Sequence, residues 1–387
     1  MEAIDQGKAS SCFHNKECKV ETWSTRKGKE VSTHQRVLVA MSGGVDSSVA
    51  ALLLHEKGFE VVGATIELFA KQDAALLSPK QCCSQASILR AKEVCNRLGI
   101  QHRVLNYAEL FHARVIETFC CEYASGRTPN PCISCNTYIK WGKLLEEAIE
   151  VECTYIATGH YARIRYVDGR FALLRGTDIS KDQSYALCML SQDQLARTML
   201  PLGEYAKADV RALARQNQLP AFQTPESQDI CFLPGKDYRS FLSGRIAIIP
   251  GEIVDTSGKV LGRHQGLPFY TVGQRKGLGI PWKYPLYVLE KDQWCNRLIV
   301  GPREEMARLR FSVRSVNWVS IPAPAADTRL AVHVCLRYRS LPIRAELRVE
   351  GDSRVAIVLE PHDQAVAPGQ SAVWYRGDEL LGGGIIE

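Results

Sequence analysis

Arg36-Val-Leu-Val-Ala-Met-Ser-Gly-Gly-Val-Asp-Ser-Ser48 is the stretch on which the reading of the chain turns. A short apolar run reads as a buried strand. It leads into a Ser-Gly-Gly-Val-Asp-Ser loop, and the apolar helix Val49-Ala-Ala-Leu-Leu-Leu-His-Glu-Lys57 follows before Gly58 stops it. Gly43 and Gly44 let the backbone turn tightly and approach a ligand without a side-chain clash. Backbone N–H groups, the hydroxyls of Ser42, Ser47 and Ser48, and the helix N-terminus then converge on one place, which suits a phosphate or pyrophosphate. No Gly-Lys-Ser/Thr follows, so this is not a Walker A loop and the usual phosphate lysine is missing. The plainer alternative is an ordinary strand-to-helix turn with Asp46 or Ser47 as N-cap.

The 387 residues allow two or three domains. Hydrophobic content of 45% and charged content of 23% are those of a globular protein, and no apolar run is long enough for a membrane-spanning helix. The net charge of +6 permits an acidic partner such as RNA without requiring one. Fourteen cysteines with no secretory segment point to a reducing, cytoplasmic setting, where thiols serve catalysis or metal binding. Residues 1–35 are polar and aperiodic and read as a flexible N-terminal extension. Cys12, His14 and Cys18 within it could ligate a metal, but isolated residues at that spacing are more often incidental.

From Arg36 strands and helices alternate. Phe59–Ile66 and Gln101–Leu105 read as strands, with helices over Ser84–Leu98, Glu109–Tyr123 and Tyr138–Glu150, then a strand over Thr154–Thr158. That alternation implies a parallel α/β sheet with ligands at the carboxyl ends of its strands, where the Ser42 loop and Gly159-His160 both fall. Ala206–Leu219 reads as a further helix. Beyond residue 246 the signals become Gly-punctuated strands over 251–258, 259–261 and 267–272. Six alternating runs starting near Arg310, Leu330, Arg344, Val355, Ala372 and Leu381 then suit a small β-barrel. The expected domains are 36–245 for nucleotide binding, 246–306 as a small, mostly β centre, and 307–387 as the barrel.

The thiols give a second clue. Ser125-Gly-Arg-Thr-Pro-Asn-Pro-Cys-Ile-Ser-Cys-Asn-Thr-Tyr-Ile-Lys-Trp141 is stiffened by two prolines and runs into a helix. A thiol at a helix N-terminus favours its thiolate, and Cys135 is so placed. Cys132 completes a Cys-x-x-Cys pair, which reads equally as a redox pair, half a metal site or coincidence. No second such pair exists, and Cys82 and Cys83 are badly spaced for one ion. Cys231, in Pro225-Glu-Ser-Gln-Asp-Ile-Cys-Phe-Leu-Pro234, is a third candidate, with a buried structural cysteine as its alternative.

The opening stretch resembles the PP-loop of ATP pyrophosphatases, which cleave ATP between the α and β phosphates. Six further motifs occur in order with it: Gly126-Arg-Thr-Pro-Asn-Pro131, Cys135-Asn136, Thr158-Gly-His-Tyr-Ala-Arg163, Lys181-Asp-Gln-Ser-Tyr185, Ile230-Cys-Phe232 and Gly273-Gln-Arg-Lys-Gly-Leu-Gly-Ile280. Together they resemble the tRNA-specific 2-thiouridylases, from about residue 36 to the C-terminus. The resemblance implies a PP-loop domain of the adenine nucleotide α-hydrolase type, followed by a central domain and a C-terminal β-barrel. It also implies ATP with Mg²⁺, and a tRNA whose wobble uridine is adenylated at the C2 oxygen before sulfur replaces that oxygen.

By the same resemblance, Ala40, Met41, Ser42, Gly43, Gly44, Val45, Asp46 and Ser47 line the nucleotide site, with Ile66 and Gly159 on the rest of ATP. Cys135 is the nucleophile and Cys231 carries the persulfide. Their roles end in a Cys135–Cys231 disulfide. Asn130, Pro131 and Cys132 lie by the target base, and His160, Lys181, Asp182, Gln183, Arg337, Tyr338 and Gln370 contact tRNA. Many relatives have Asp where this chain has Cys132. A 4Fe-4S cluster on Cys132, Cys135 and Cys231 is therefore the alternative to persulfide chemistry. A sulfur-donor protein of a cysteine desulfurase relay is the implied partner. Arg275 and Lys276 read as phosphate contacts, and Arg337, Arg339, Arg344 and Arg348 as a cationic stripe. Rival functions are a PP-loop synthetase acting on another carbonyl, and a non-catalytic RNA-binding or cluster-carrying module.

Overall fold

The computed structural model describes residues 25–26, 29–30, 35–69, 84–223, 230–233, 238–351 and 353–387. The expected extension lies almost wholly outside them. So do Cys82, Cys83 and residues 225–229, the polar approach to Cys231.

Strand β1 (Arg36–Ala40) alternates its side chains between two cores: Val37 and Val39 face one, Leu38 the other, and all three are fully buried. It leads through the Ser42 loop into α1 (Val45–Glu56), then β2 (Glu60–Glu67), α2 (Gln85–Leu98) and β3 (Gln101–Asn106). Helix α1 is buried nearly all round, as expected of a helix between a sheet and further helices. Ser84 caps α2 by accepting from the Ser87 N–H.

Two long helices follow. Helix α3 runs through Ala108–Phe111, His112–Ile116 and Glu117–Ala124, and α4 through Pro131–Ser134, Cys135–Lys143 and Leu144–Glu150; the middle segment of each has π hydrogen bonding. Then come β4 (Tyr155–Ala157), β5 (Ala162–Val167), β6 (Arg170–Arg175), α5 (Gln192–Ala196), β7 (Thr198–Met199) and α6 (Lys207–Gln216). The all-parallel sheet has the order β3-β2-β1-β4-β7. Its order reverses at β1, so the Ser42 loop leaves the sheet at its topological switch point.

Helix α7 (Tyr238–Ser243) precedes a four-stranded sheet of β8 (Gly251–Val254), β9 (Val260–His264), β10 (Tyr287–Asp292) and β11 (Arg297–Gly301), in the order β9-β8-β11-β10. Six strands complete the chain: β12 (Arg310–Trp318), β13 (Arg329–Cys335), β14 (Ile343–Val349), β15 (Arg354–Leu359), β16 (Ser371–Arg376) and β17 (Glu379–Ile386). They pair antiparallel in the order β12-β15-β14-β13-β16-β17, and β17 returns to β12 to close a barrel. Along β14 buried and exposed residues alternate strictly, placing Ile343, Ala345, Leu347 and Val349 inside. Each of the six expected runs is a strand of this barrel.

Three expectations need correction. Helix α4 begins at Pro131, seven residues before the expected Tyr138, because Asn130 accepts from the Cys132 N–H and Pro131 occupies the first helical position. The strand expected over 267–272 is a 3₁₀ turn, Leu267–Phe269, where Pro268 offers no N–H to a ladder. The hairpin β5–β6, unread in the sequence, pairs with β17 through Leu173 and Leu174. A segment of the first domain thus extends the barrel's sheet and joins that domain to the barrel.

Candidate active site

The nucleotide loop is held mainly by its own residues. The Ser42 N–H donates to Ser47 Oγ at 3.1 Å, and the Ser47 and Ser48 hydroxyls donate to the Gly44 carbonyl at 3.2 and 2.8 Å. Gly43 has φ +68°, and a Cβ there would run into the backbone carbonyl of Ser87. Arg90 reaches back to the Gly43 carbonyl at 3.1 Å and to Ser87 Oγ at 2.9 Å. Gly44 is the N-cap of α1 and no side chain caps the helix. The first-turn N–H groups are therefore left to whatever occupies the cradle. Met41 and Val45 turn their side chains into the core beneath it. Gly159 closes the other side: a Cβ on it would lie 2.8 Å from the Asp46 carbonyl carbon and 2.9 Å from the Ser47 nitrogen. Ala40 and Ile66 lie at the carboxyl ends of β1 and β2, at the same sheet edge.

Asp46 carries the charge at the mouth. The Tyr161 hydroxyl donates to its Oδ1 at 2.8 Å, and Lys207 Nζ donates to Oδ1 and Oδ2 at 2.6 and 2.7 Å. Neither partner was legible beforehand; Lys207 is 161 positions away. His160 is half-buried beside the sheet edge. Its Nδ1 is 2.7 Å from Thr158 Oγ1, its Nε2 is 3.4 Å from Lys140 Nζ, and Trp141 lies against the ring. An ammonium can only donate, so Nε2 accepts and Nδ1 carries the proton. Burial first, and Lys140 second, push the His160 pKa well below its ordinary value, which keeps the ring neutral.

The thiol loop is built differently. Its backbone and side chains are gripped from outside by two other domains. The Thr128 N–H donates to the Pro368 carbonyl at 2.8 Å, and Gln370 Nε2 donates to the Thr128 and Pro129 carbonyls at 2.8 and 3.3 Å. Gly369 lies so close that a Cβ would come within 2.8 Å of Arg127 Cβ and Thr128 N. From the loops of the central domain, Thr271 Oγ1 is 3.4 Å from Thr128 Oγ1, and Gln293 fills the space a side chain at Gly126 would need. Gln370, expected at the tRNA, thus spends its amide on bracing this loop.

Cys132 is exposed in the first turn of α4, and Cys135 is half-buried one turn further on, where π bonding begins. The neighbouring Asn136 is buried and donates to the Ala186 carbonyl at 2.9 Å. That bond ties the Cys135 segment to the loop carrying Lys181, Asp182 and Gln183. Cys231 sits half-buried beside Phe232, whose ring packs 5.1 Å from Phe119 and 5.3 Å from Phe241. Cys135 and Cys231 both pack against the same apolar core. By contrast Cys95 and Cys188 are fully buried, and burial pushes each of their thiols up to about 12. Those two are structural.

Of the residues expected at tRNA, Asp182 faces inward. It is 8% exposed; its oxygens accept from Arg175 at 3.0 Å, from the Gly176 and Ser184 N–H groups, and from Ser184 Oγ. The Arg175 guanidinium also stacks 3.7 Å over the Tyr375 ring, joining this loop to the barrel. Gln183 Oε1 accepts from the Tyr161 N–H at 3.0 Å, and Lys181 is half-buried beside it. Arg337 is exposed in the β13–β14 connection; Tyr338 there lies 6.2 Å from the Tyr185 ring, with Arg339 over its face. Arg344 and Arg348 share the exposed face of β14, where Arg348 pairs with Glu350 at 2.8 Å. Arg275 lines an open groove of about 580 Å³ with Trp282, Lys283 and Tyr284.

Comparison with known proteins agrees with this arrangement. The family described as "tRNA methyl transferase HUP domain" matches residues 35–235, "tRNA methyl transferase PRC-barrel domain" matches 239–302, and "Aminomethyltransferase beta-barrel domain" matches 308–386. A relative from Natranaerobius thermophilus, "tRNA-specific 2-thiouridylase MnmA", is 45% identical over 358 residues, 91% of this chain and 97% of the relative. The chain belongs to the tRNA-specific 2-thiouridylase family. Relatives of the same name from Carboxydothermus hydrogenoformans and a Synechococcus strain are 46% identical over 366 residues and 48% identical over 356. They cover 92% and 91% of this chain, and it covers 99% and 94% of theirs. The three family matches start at residue 35 and end at 386, and they take in the phosphate cradle, both half-buried thiols and the barrel that braces them.

Proposed function

We propose that this chain is an ATP-dependent sulfurtransferase that converts the wobble uridine of tRNA to 2-thiouridine. The observation that carries the reading is the pairing of an open, uncapped phosphate cradle with two half-buried thiols on one core. Methyl transfer, named in the family descriptions, would leave both features without work. A uridine C2 oxygen is a poor leaving group; transfer of AMP onto it makes it a good one. The cradle would take the departing pyrophosphate, and Mg²⁺ held there by Asp46 would supply positive charge for the leaving group. Asp46 is the acid at the mouth, and a magnesium site built from one carboxylate and substrate phosphates is the usual kind.

Sulfur follows as a persulfide on Cys231, delivered by a cysteine desulfurase relay. The Cys135 thiolate attacks Cys231 Sγ, so the Sγ–S bond breaks and the outer sulfur leaves as sulfide. That sulfide adds at C2 and expels AMP. The two thiols are left as a disulfide, which a cellular thiol reductant must reopen. The three-thiol cluster is the weaker reading: among the described residues no three His, Cys, Asp or Glu side chains are grouped to hold a metal. Lys181, Gln183, Arg337 and Tyr338 would face the tRNA, and Asn130, Pro131 and Cys132 the base. Among the described residues no helix is long and apolar enough to cross a membrane, and we place the enzyme in the cytoplasm.

Incubation with ATP, Mg²⁺, unmodified tRNA and a persulfide donor (a cysteine desulfurase with cysteine), followed by mass spectrometry of the nucleosides, tests the reading. Thiouridine should form and be lost in Cys135→Ala and Cys231→Ala. Thiolation surviving both substitutions would sink the persulfide route.

A further inference from the structure

Segments far apart in the chain meet on one guanidinium. Arg175 ends β6, and its side chain is 16% exposed. Its Nη1 donates to Asp182 Oδ2 at 3.0 Å, its Nη2 donates to Cys335 Sγ at 3.4 Å, and its central carbon lies 3.7 Å from the centre of the Tyr375 ring. The Tyr375 hydroxyl is 3.1 Å from Ser184 Oγ, which itself donates to Asp182 and closes the circuit. On one side of this circuit lie Lys181 and Gln183, the chain neighbours of Asp182. On the other, β13 ends at Cys335, and Leu336, Arg337 and Tyr338 follow. Ser340 Oγ closes their turn by accepting from the Leu336 and Arg337 N–H groups at 3.1 and 3.3 Å. Both segments expected at tRNA therefore stand on one buried cation. Stability alone accounts for it poorly. Leu173, Val373 and Leu380 already seat β6, β16 and β17 in a common core, and a buried ion pair is commonly no better than an apolar contact of its size. What a guanidinium adds is geometry: a planar fork of fixed donors and a face that stacks.

We propose that Arg175 is a positioning residue for tRNA: it fixes the spacing between residues 181–183 and residues 337–338, so that both segments engage one RNA at once. This rests on the reading of those two segments as tRNA contacts. Two contacts held at the right spacing bind as a pair, and neither spends free energy on finding its place. The same loop carries the setting toward the thiols. Tyr185 lies 6.2 Å from the Tyr338 ring, and the next residue, Ala186, accepts from Asn136 beside Cys135 at 2.9 Å. Lysine is no substitute at this position. Its ammonium is a point charge that pairs with Asp182 but does not also reach Cys335 and stack on Tyr375.

Binding of an unmodified tRNA with uridine at the wobble position, at one fixed salt concentration, tests this on the full chain. Arg175→Lys keeps the charge beside Asp182. It should weaken tRNA binding about 10-fold and leave magnesium–ATP affinity within about twofold of wild type. Arg337→Ala alone should weaken tRNA binding by about the same factor, the loss of one charge-assisted contact. Combined in one chain, the two should cost less than about twofold more than either alone, because the contact that Arg175 sets is already lost. Wild-type affinity in either single variant overturns the proposal. So does full multiplication of the two factors, since Arg175 would then not act through Arg337. An equal loss of tRNA and ATP binding in Arg175→Lys would mark general damage to the fold and also overturns it. If Arg175→Lys does not fold, Cys335→Ala decides. It cuts only the link to the Arg337 segment and should weaken tRNA binding about threefold, the worth of one hydrogen bond; unchanged affinity overturns the proposal. Wild-type protein that does not bind this tRNA would overturn the tRNA reading and the proposal together, whereas wild-type binding with unmoved variants would overturn the proposal alone.

Discussion

The Ser42–Ser48 loop is held mainly by its own hydroxyls and a neighbouring helix, whereas the Gly126–Cys135 loop is gripped by two other domains. In the first, residues at most five positions apart supply the bonds that shape the turn, and Ser87 and Arg90 finish it. In the second, the partners of Thr128 and Pro129 lie more than a hundred positions away, at Thr271, Pro368 and Gln370. The difference has a chemical sense. A phosphate cradle must be rigid before its ligand arrives, since preorganised donors lose nothing to reorganisation. A thiol loop must present its sulfur to a large RNA. It gains by being set by the same domains that would bind that RNA.

Substitutions can separate the two designs. The largest effect is expected from Gly43→Ala, which combines a left-handed backbone with a collision against Ser87. Strain and overpacking of about 3 kcal/mol correspond to roughly 100-fold weaker ATP binding, measurable by calorimetry. Gly369→Ala crowds Arg127 and Thr128 instead. It should leave ATP affinity unchanged and slow thiolation about 10-fold, the effect of misplacing the thiol loop. Equal damage to both activities would mean that the loops are mechanically one unit.

A smaller effect concerns pH. His160 is held neutral with its folded pKa below the ordinary 6.5, so the unfolded chain binds the proton first as pH falls. Stability is therefore full above pH 6.5 and declines below it, by up to about 1.4 kcal/mol per pH unit until the folded value is reached. Thermal midpoints at pH 7.5, 6.5 and 5.5 should fall in wild type and fall less steeply in His160→Gln. Some slope will remain, because burial also lowers His102 and His264.

The barrel was the most legible part of the chain, because strict alternation in runs such as Ile343–Val349 needs no knowledge of partners. The parallel sheet was nearly as clear, its strands being short apolar segments between amphipathic helices. The hairpin β5–β6 was legible too but went unread: Asp168-Gly169, both with positive φ, turn Ala162–Val167 back onto Arg170–Arg175, and only its docking on β17 needed the fold. The site divides in the same way. Ser42 to Ser47 announce a phosphate cradle in one contiguous phrase, whereas Lys207 and Tyr161 reach Asp46 only through the fold. The setting of Asp182 was hidden for a related reason: its motif is visible in sequence, but the Arg175 and Ser184 bonds that turn it inward are not.

The bracing of the thiol loop also bears on when in the life of the chain it can work. Gly369, the residue pressed against Arg127 and Thr128, donates its own N–H to the carbonyl of Ile386 in β17. The Ile386 N–H returns a bond to the carbonyl of Gln370. Strand β17 is made long after the nucleotide loop, which can close on its own bonds. The cradle can thus form before the barrel closes, whereas the thiol loop is set only once β17 is in place.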